Sequence, residues 1–322
     1  MKGFDPKWRD FPDYILGITK AIWEERNISG LHHWYTDDLA VRTPASIVRG
    51  NKAVISATMA TLAEFPDREL LGEDVIWCCT PEDGFLSSHR ILCIATHSQP
   101  GMYGGATGTR LTYRVLADCA AINDQIYDEW MVRDQGAIVR QLGWEAKAFA
   151  RDLIEREGGP ENCIKPITPE NDVPARYTGC GNDHEIGQRH AEILTRIMNA
   201  EMSAIPAEYD RACHLELPGG VTAHGHAAAD QFWMGLRASF PSARFAIDHR
   251  IGRADDNMPG RAATRWSLHG KHDGWGAFGA PSGADVYVMG ISHAEFGPWG
   301  LRREYTLIDE TAIWKQILLQ TG

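Results

Sequence analysis

The sequence predicts an α+β protein built as two tandem copies of one small domain, and three observations predict it. Residues recur at a constant offset, each half runs helices first and strands after, and a proline-rich stretch lies between the halves. Gly50 is matched by Gly225, Phe65-Pro66 by Phe240-Pro241, Ile76 by Ile251 and Arg90 by Arg265, always 175 positions on. His97 then meets His272, Gly101 meets Gly276, Gly104 meets Gly279 and Gly108 meets Gly283. Glu129 meets Glu304, Asp134 meets Asp309, Ile138 meets Ile313 and Gln141 meets Gln316. Conservative pairs fill the gaps: Trp34/Tyr209, Tyr103/Phe278, Thr107/Ser282 and Trp130/Tyr305. Chance would not hold one register over so long a span without a gap, so duplication is the economical reading. It divides the chain into a first domain over 1–150, a linker over 151–184 and a second domain over 185–322. Within the linker, Pro160, Pro166, Pro169 and Pro174 punctuate a stretch without apolar periodicity, which reads as extended, stiffened chain.

The elements follow in order. Apolar residues at helical spacing (Phe11, Tyr14, Ile15, Ile18, Ile22) predict a helix over 8–25, and Ile186, Ile193, Leu194, Ile197 and Met198 predict its counterpart over 186–202. A second helix is expected over 52–64 and 227–239, each closed by Phe-Pro, because proline disfavours helix in the residue before it. Strands are expected near 71–79, 85–97, 110–122 and 126–134, with counterparts near 244–253, 262–272, 284–296 and 300–309. Trp266, Leu268 and His272 share one parity of their strand and Arg265, Ser267, His269 and Lys271 the other. A closing helix follows each last strand. Helices followed by an antiparallel sheet make this α+β rather than doubly wound.

Composition removes several classes of function. At 322 residues with 43% hydrophobic and 23% charged residues, the chain can bury a core in each half and is not disordered. A net charge of −11 argues against a nucleic-acid groove or an anionic membrane surface as partner. No apolar run approaches a membrane span, and the N-terminus lacks a signal-like apolar region, so a cytoplasmic location is expected. Seven cysteines without a CxxC pair fit a reducing compartment.

One set of residues carries a family resemblance. Ala95-Thr96-His97, Gly101, Gly104 and Ala106-Thr107-Gly108 are followed by Ile126-Tyr127-Asp128-Glu129-Trp130-Met131-Val132-Arg133-Asp134-Gln135 and Gln141-Leu142-Gly143. The second half repeats it as Gly270-Lys271-His272, Pro281-Ser282-Gly283 and Arg303-Glu304-Tyr305 through Asp309 to Gln316. Together with Phe-Pro-Asp at 65–67 and Phe-Pro-Ser at 240–242, this resembles the SnoaL-like polyketide cyclases of the nuclear-transport-factor-two-like superfamily. The resemblance covers most of both domains but not the linker. It implies two cone-shaped α+β barrels, each a strongly curved, mostly antiparallel sheet wrapped around helices and enclosing a mainly apolar pocket. It also implies pairing through outer sheet faces, open here both to the two halves within one chain and to a further homo-oligomer.

The resemblance also suggests where chemistry would lie. The family's cyclases use a His on the penultimate strand and an Asp on the last strand as acid–base groups. Aligned on the hairpin, the His position falls on His293 and Asp118, and the Asp position on Thr306 and Met131. Neither copy keeps the pair, which leaves His293 or Asp118 beside Glu304 or Glu129, glutamates two residues earlier with the lost Asp's parity. A His shuttles protons near neutral pH, and a carboxyl in an apolar hollow has its pKa raised into the same range. His97 and His272 are further candidates beside a structural reading in which they tie down the Gly-rich hairpin. Arg90 and Arg265, expected to pair with Glu129 or Glu304, are candidate substrate anchors. Trp130, Tyr305, Trp233 and Trp266 would suit a flat aromatic ligand if they line a cavity.

Other patterns carry less. Gly101 to Gly108 precedes no Lys-Ser/Thr and no helix, so it reads as a hairpin and not a phosphate loop. His214, His224, His226 and His249 match no standard zinc spacing, and neither metal nor cofactor is expected. The functional expectation is a cofactor-independent lyase, cyclase or isomerase acting on a small hydrophobic, aromatic or polyketide-like molecule. Superfamily lyases that remove formaldehyde from lignin-derived diaryl compounds are one such branch. The competing expectation is a non-catalytic ligand-binding or scaffold module with one or both cavities degenerate.

Overall fold

The computed structural model describes residues 1–322. The first unit opens with α1 (Phe11–Trp23), a 3-10 turn at Ile28–Gly30 and α2 (Leu31–Trp34), then a hairpin of β1 (Ala40–Thr43) and β2 (Ser46–Arg49). After α3 (Asn51–Glu64) come β3 (Glu69–Thr80), β4 (Gly84–Thr96), β5 (Arg110–Ile122) and β6 (Gln125–Arg133), then α4 (Gln135–Gln141) and α5 (Ala146–Arg156). The second unit repeats the plan with α6 (Glu185–Met198), α7 (Ala204–Glu208), β7 (Tyr209–Leu217), β8 (Val221–His224), α8 (His226–Ser239), β9 (Arg244–Arg253), β10 (Gly260–Lys271), β11 (Asp285–Gly297), β12 (Gly300–Leu307) and α9 (Glu310–Thr321).

Local chemistry accounts for the boundaries. Asp10 caps α1 by accepting from the Asp13 amide, with Pro12 in the first turn. Gly50 and Gly225 enter α3 and α8 at φ 80° and 79°, a backbone conformation that costs glycine little. Asn123 and Asp124, both at positive φ, form the two-residue turn that joins β5 to β6. Asp134 and Asp309 cap the helices that follow the last strands.

Each unit carries one six-stranded sheet, ordered β2-β1-β6-β5-β4-β3 and β8-β7-β12-β11-β10-β9. Two features differ from expectation. The short hairpins β1–β2 and β7–β8 join parallel to β6 and β12, making the sheets mixed; β1, β2 and β8 have only four residues each, too few to show a period, while the alternation of Cys213, Leu215 and Leu217 in β7 was there to be read. Neither sheet closes into a barrel. α1 packs beside the edge strand β3 and α3 beside the edge strand β2. No helix is long and apolar enough to cross a membrane.

The sheets' outer faces meet. One buried cluster draws Ile76, Leu86, Leu116, Trp130 and Val132 from the first unit together with Ile251, Ala263, Met289, Ile291 and Leu307 from the second. Arg90 lies 3.5 Å over the Tyr305 ring and Arg265 lies 3.9 Å over Trp130. Since these residues are repeat partners, the two stacks are one contact made twice about an approximate two-fold axis. The segment after α5 has no helix or strand before Glu185. It is fastened to both units: the Arg176 and Tyr177 amides donate to Asp128 at 2.6 and 2.8 Å, and Gly181 bridges Arg250.

Candidate functional site

Which face a strand residue occupies follows from parity, and the register settles it. On the inner face of the first sheet, Ser87 lies opposite Cys119, and Cys119 opposite Glu129. The next inner row is His89, Ala117 and Met131, and the one after it Ile91, Val115 and Arg133. Asp118, opposite Trp130 and Ser88, therefore points outward, and so does His293, opposite Tyr305 and Ala263.

The expectation that His293 and Asp118 face the cone interiors is thus corrected. Both lie between the sheets. His293 Nε2 is 2.8 Å from Ser88 Oγ of the other unit, while Arg265 donates to Asp118 Oδ2 at 3.0 Å with His249 Nδ1 3.6 Å away. Burial works to raise the Asp118 carboxyl, but His249 and Arg265 hold it below the usual range. Burial and the Arg90 charge push the His293 imidazole well down, so it stays neutral. The physical reason for the misplacement is the period of two: an alignment displaced by one residue moves a side chain to the opposite face. Arg90, Arg265, Trp130 and Tyr305 belong to the same inter-sheet layer. Arg90 pairs with Glu73 at 3.1 Å and Arg265 with Asp118, neither with Glu129 or Glu304. His97 and His272 hold the Gly-rich hairpins through Thr107 (3.1 Å) and Ser282 (3.0 Å).

The two glutamates do face the interiors, in contrasting surroundings. In the second unit Glu304 is fully buried at 0% exposure within a closed chain of hydrogen bonds. Tyr209 donates to Oε2 at 2.8 Å and Thr306 to Oε1 at 3.0 Å; Thr306 meets Ser292 at 2.8 Å, which accepts from the Trp266 indole at 3.0 Å. In the first unit the partners of Thr306, Ser292 and Trp266 are Met131, Ala117 and Ile91, which offer no such bonds. Glu129 retains one, from the Tyr35 hydroxyl to Oε2 at 3.0 Å, and is 8% exposed. Burial raises both carboxyls to about 7, opposed by Tyr35 for Glu129 and by Tyr209 and Thr306 for Glu304. Burial and the neighbouring Glu129 keep the Tyr35 phenol protonated, far above its ordinary value.

The interiors also differ in filling. Trp233 and Trp266, both fully buried, occupy the second unit where the first has Thr58 and Ile91. Gly290 makes room for Trp266: a Cβ there would stand 2.2 Å from the indole, and the first unit has Val115 instead. The second interior is one continuous cluster of 28 buried residues, whereas the first is divided into clusters of 15 and 14 with Trp23 packed against both. Unpartnered polar atoms lie in both interiors: Ser87 Oγ, His89 Nδ1 and Trp34 Nε1 in the first, His190 Nε2 and Trp233 Nε1 in the second. Burial lowers His89 to about 4, so it is neutral at neutral pH.

Tyr35, Ser87 and His89 were not singled out in the sequence. The available signal was the repeat's disagreements: where the second half has Trp, the first has Thr and Ile. The identities mark what the fold needs, while the differences mark where the interiors diverge.

No protein-family model matches the chain, and no curated protein does. Among solved structures, the chain is similar to a SnoaL-like polyketide cyclase from Agrobacterium tumefaciens, at 20% identity over 41% of this chain and 97% of that one, with a TM-score of 0.34. IdmH from Streptomyces antibioticus is similar at 21% identity over 41% of this chain and 98% of its own, TM-score 0.36. TsrD from Streptomyces laurentii stands at 17%, 42% and 98%, TM-score 0.36.

Proposed function

We propose that the interior of the first unit is an acid–base catalytic site centred on Glu129, and that the second unit is its scaffold. The observation that carries this is the unequal fate of two equivalent glutamates. Glu304 accepts from both Tyr209 and Thr306 in a unit filled by Trp233 and Trp266, whereas Glu129 accepts from Tyr35 alone and keeps an oxygen that no protein group bonds. A carboxyl held near pH 7 is divided between acid and base forms in neutral solution, where a proton carrier is most useful. As carboxylate, Glu129 would take a proton from carbon or hydroxyl; as acid, it would return one to a leaving oxygen. In this reading the Tyr35 hydroxyl, which donates to Glu129, orients that carboxyl, and neutral His89 would stabilise a developing oxyanion.

Proton transfers of this kind need no cofactor. They serve a lyase, cyclase or isomerase acting on a small hydrophobic molecule, aromatic or polyketide-like; release of formaldehyde from a diaryl compound is one such reaction. Assay of Glu129→Gln and Glu304→Gln against a panel of aromatic hydroxy-ketones and diaryl alcohols tests the proposal. Glu129→Gln should lose about 10²–10⁴-fold in kcat, the usual weight of a general acid or base, with Glu304→Gln within a few-fold of the parent. Full turnover by Glu129→Gln would overturn it. The reading of a non-catalytic scaffold is favoured only in the second unit, by its filled interior.

A further inference from the structure

Arg68, immediately before β3, is 3% exposed inside the first unit. Its guanidinium stacks 4.4 Å over the Trp23 ring, lies 5.8 Å from the Tyr113 ring, and donates one long bond to Cys93 Sγ at 3.5 Å. Nε and Nη1 are buried without any acceptor, and no carboxylate pairs with the group. Arginine cannot shed its proton, so this is a buried cation without a counter-ion, a costly arrangement.

A second guanidinium lies nearby. Arg133 ends β6 on the same inner face as Met131 and Glu129, and its Nε too is buried and unpartnered. The register puts Arg133 opposite Val115, one inner row from Tyr113, which itself lies opposite Cys93, the acceptor of Arg68; burial raises the Tyr113 phenol while both cations pull it down. The fold does not require them. At the equivalent positions the second unit has Ala243 for Arg68, Ile308 for Arg133, Val288 for Tyr113 and Leu268 for Cys93.

We infer that Arg68, Arg133 and Tyr113 form an anion subsite inside the first unit that takes the carboxylate of an aromatic acid. The inference rests on the proposal that this interior is the substrate site and narrows the substrate class. A monoanionic carboxylate suits it better than a phosphate dianion, whose stronger hydration would have to be stripped among Trp23, Ile91 and Val115. Glu129 and Arg133 are four residues apart on one strand, about 13 Å at 3.3 Å per residue. That span along one strand face suits a single ring with a short acid tail.

Thermal shift and calorimetry on the full chain test the subsite, with benzoate, cinnamate, 3-phenylpropionate, the three corresponding amides and inorganic phosphate as probes. At least one acid should raise the melting temperature saturably, with its amide giving no shift, and Arg68→Met should weaken that acid at least tenfold. Without ligand, Arg68→Met should melt no lower than the parent, since it removes an uncompensated charge; an arginine of purely structural use would cost stability. Glu129→Gln should keep acid binding, so loss of the catalytic reading and loss of the subsite are separable. Amides binding as well as acids, phosphate stabilising more than any acid, or no acid binding would each overturn the inference. Should Arg68→Met fail to fold, the residue is structural and the inference falls; undiminished acid binding by Arg133→Met also overturns it.

Discussion

Glu129 and Glu304 show how much a residue's surroundings decide. They share sequence position, strand and face, and burial lifts each to about 7, yet three hydrogen-bonding partners around one are apolar around the other. The lift has a consequence for stability. A carboxyl whose folded pKa exceeds its unfolded value binds more protons folded than unfolded between the two, so stability falls as pH rises through that window. With ordinary values near 4.5 and folded values about 7, the melting temperature is expected to decline from pH 5 to pH 7.5. Asp134 and Asp309, raised by burial to about 6, add in the same direction. Glu304→Gln should flatten the decline; an unchanged slope in that variant would show that the carboxyl titrates normally. The same residue-level logic governs kcat, where the pH dependence should follow Glu129 and leave Glu304 silent.

At the scale of elements, β10 and β11 are shaped around one indole. Trp266 lies opposite Gly290 in the register, and a methyl group at Gly290 would meet the ring. Gly290→Ala should destabilise by about 1–3 kcal/mol, the range for overpacking a filled core, without reducing turnover in the first unit. Chemical denaturation and a kcat measurement on the same preparation check both halves of that expectation. The α4 N-terminus is a second such element. Asp134 accepts from Ala137 within its own helix at 2.9 Å and from Gly219 and Gly220 of the β7–β8 turn at 2.8 and 2.9 Å. Asp134→Ala removes a cap and a clamp between units together, and a loss of about 2 kcal/mol or more is expected, above the typical value for a cap alone. Denaturation giving a loss of only a few tenths would mean that the inter-unit bonds carry no weight.

The whole molecule is a duplicated unit folded back on itself, outer sheet face against outer sheet face. Its central polar contacts are reciprocal in geometry and unequal in chemistry: Arg265 has Asp118, while Arg90, its counterpart, reaches Glu73 and, at 3.7 Å, Glu295. Asp118→Ala would leave Arg265 buried beside Trp130 without its carboxylate. A loss of about 3–5 kcal/mol is expected, the usual cost of breaking a buried pair from one side. Catalysis in whatever remains folded should persist, because Asp118 faces the interface and not the interior. A variant that kept its stability but lost turnover would reverse that assignment.

By itself the sequence determined the duplication, the long helices and the four long strands of each unit, and the Gly-rich hairpins, but not the short helices or the β1–β2 and β7–β8 hairpins. Gly50 and Gly225, the Phe-Pro ends of α3 and α8, and the alternation along β10 are local facts of backbone and periodicity. It also placed Glu129 and Glu304 on a common face. The tertiary structure alone decided which face that was for their neighbours, and so moved Asp118, His293, Arg90 and Arg265 from the interiors to the seam between sheets. It decided too that the sheets stay open, and that two tryptophans with a glycine close one interior while the other keeps Arg68, His89 and Glu129 incompletely satisfied. Local pattern reports which side chains share a face. Burial, pairing and pKa depend on what lies across from that face, and at the seam those partners are more than a hundred positions away, Arg265 from Asp118 and Ser88 from His293.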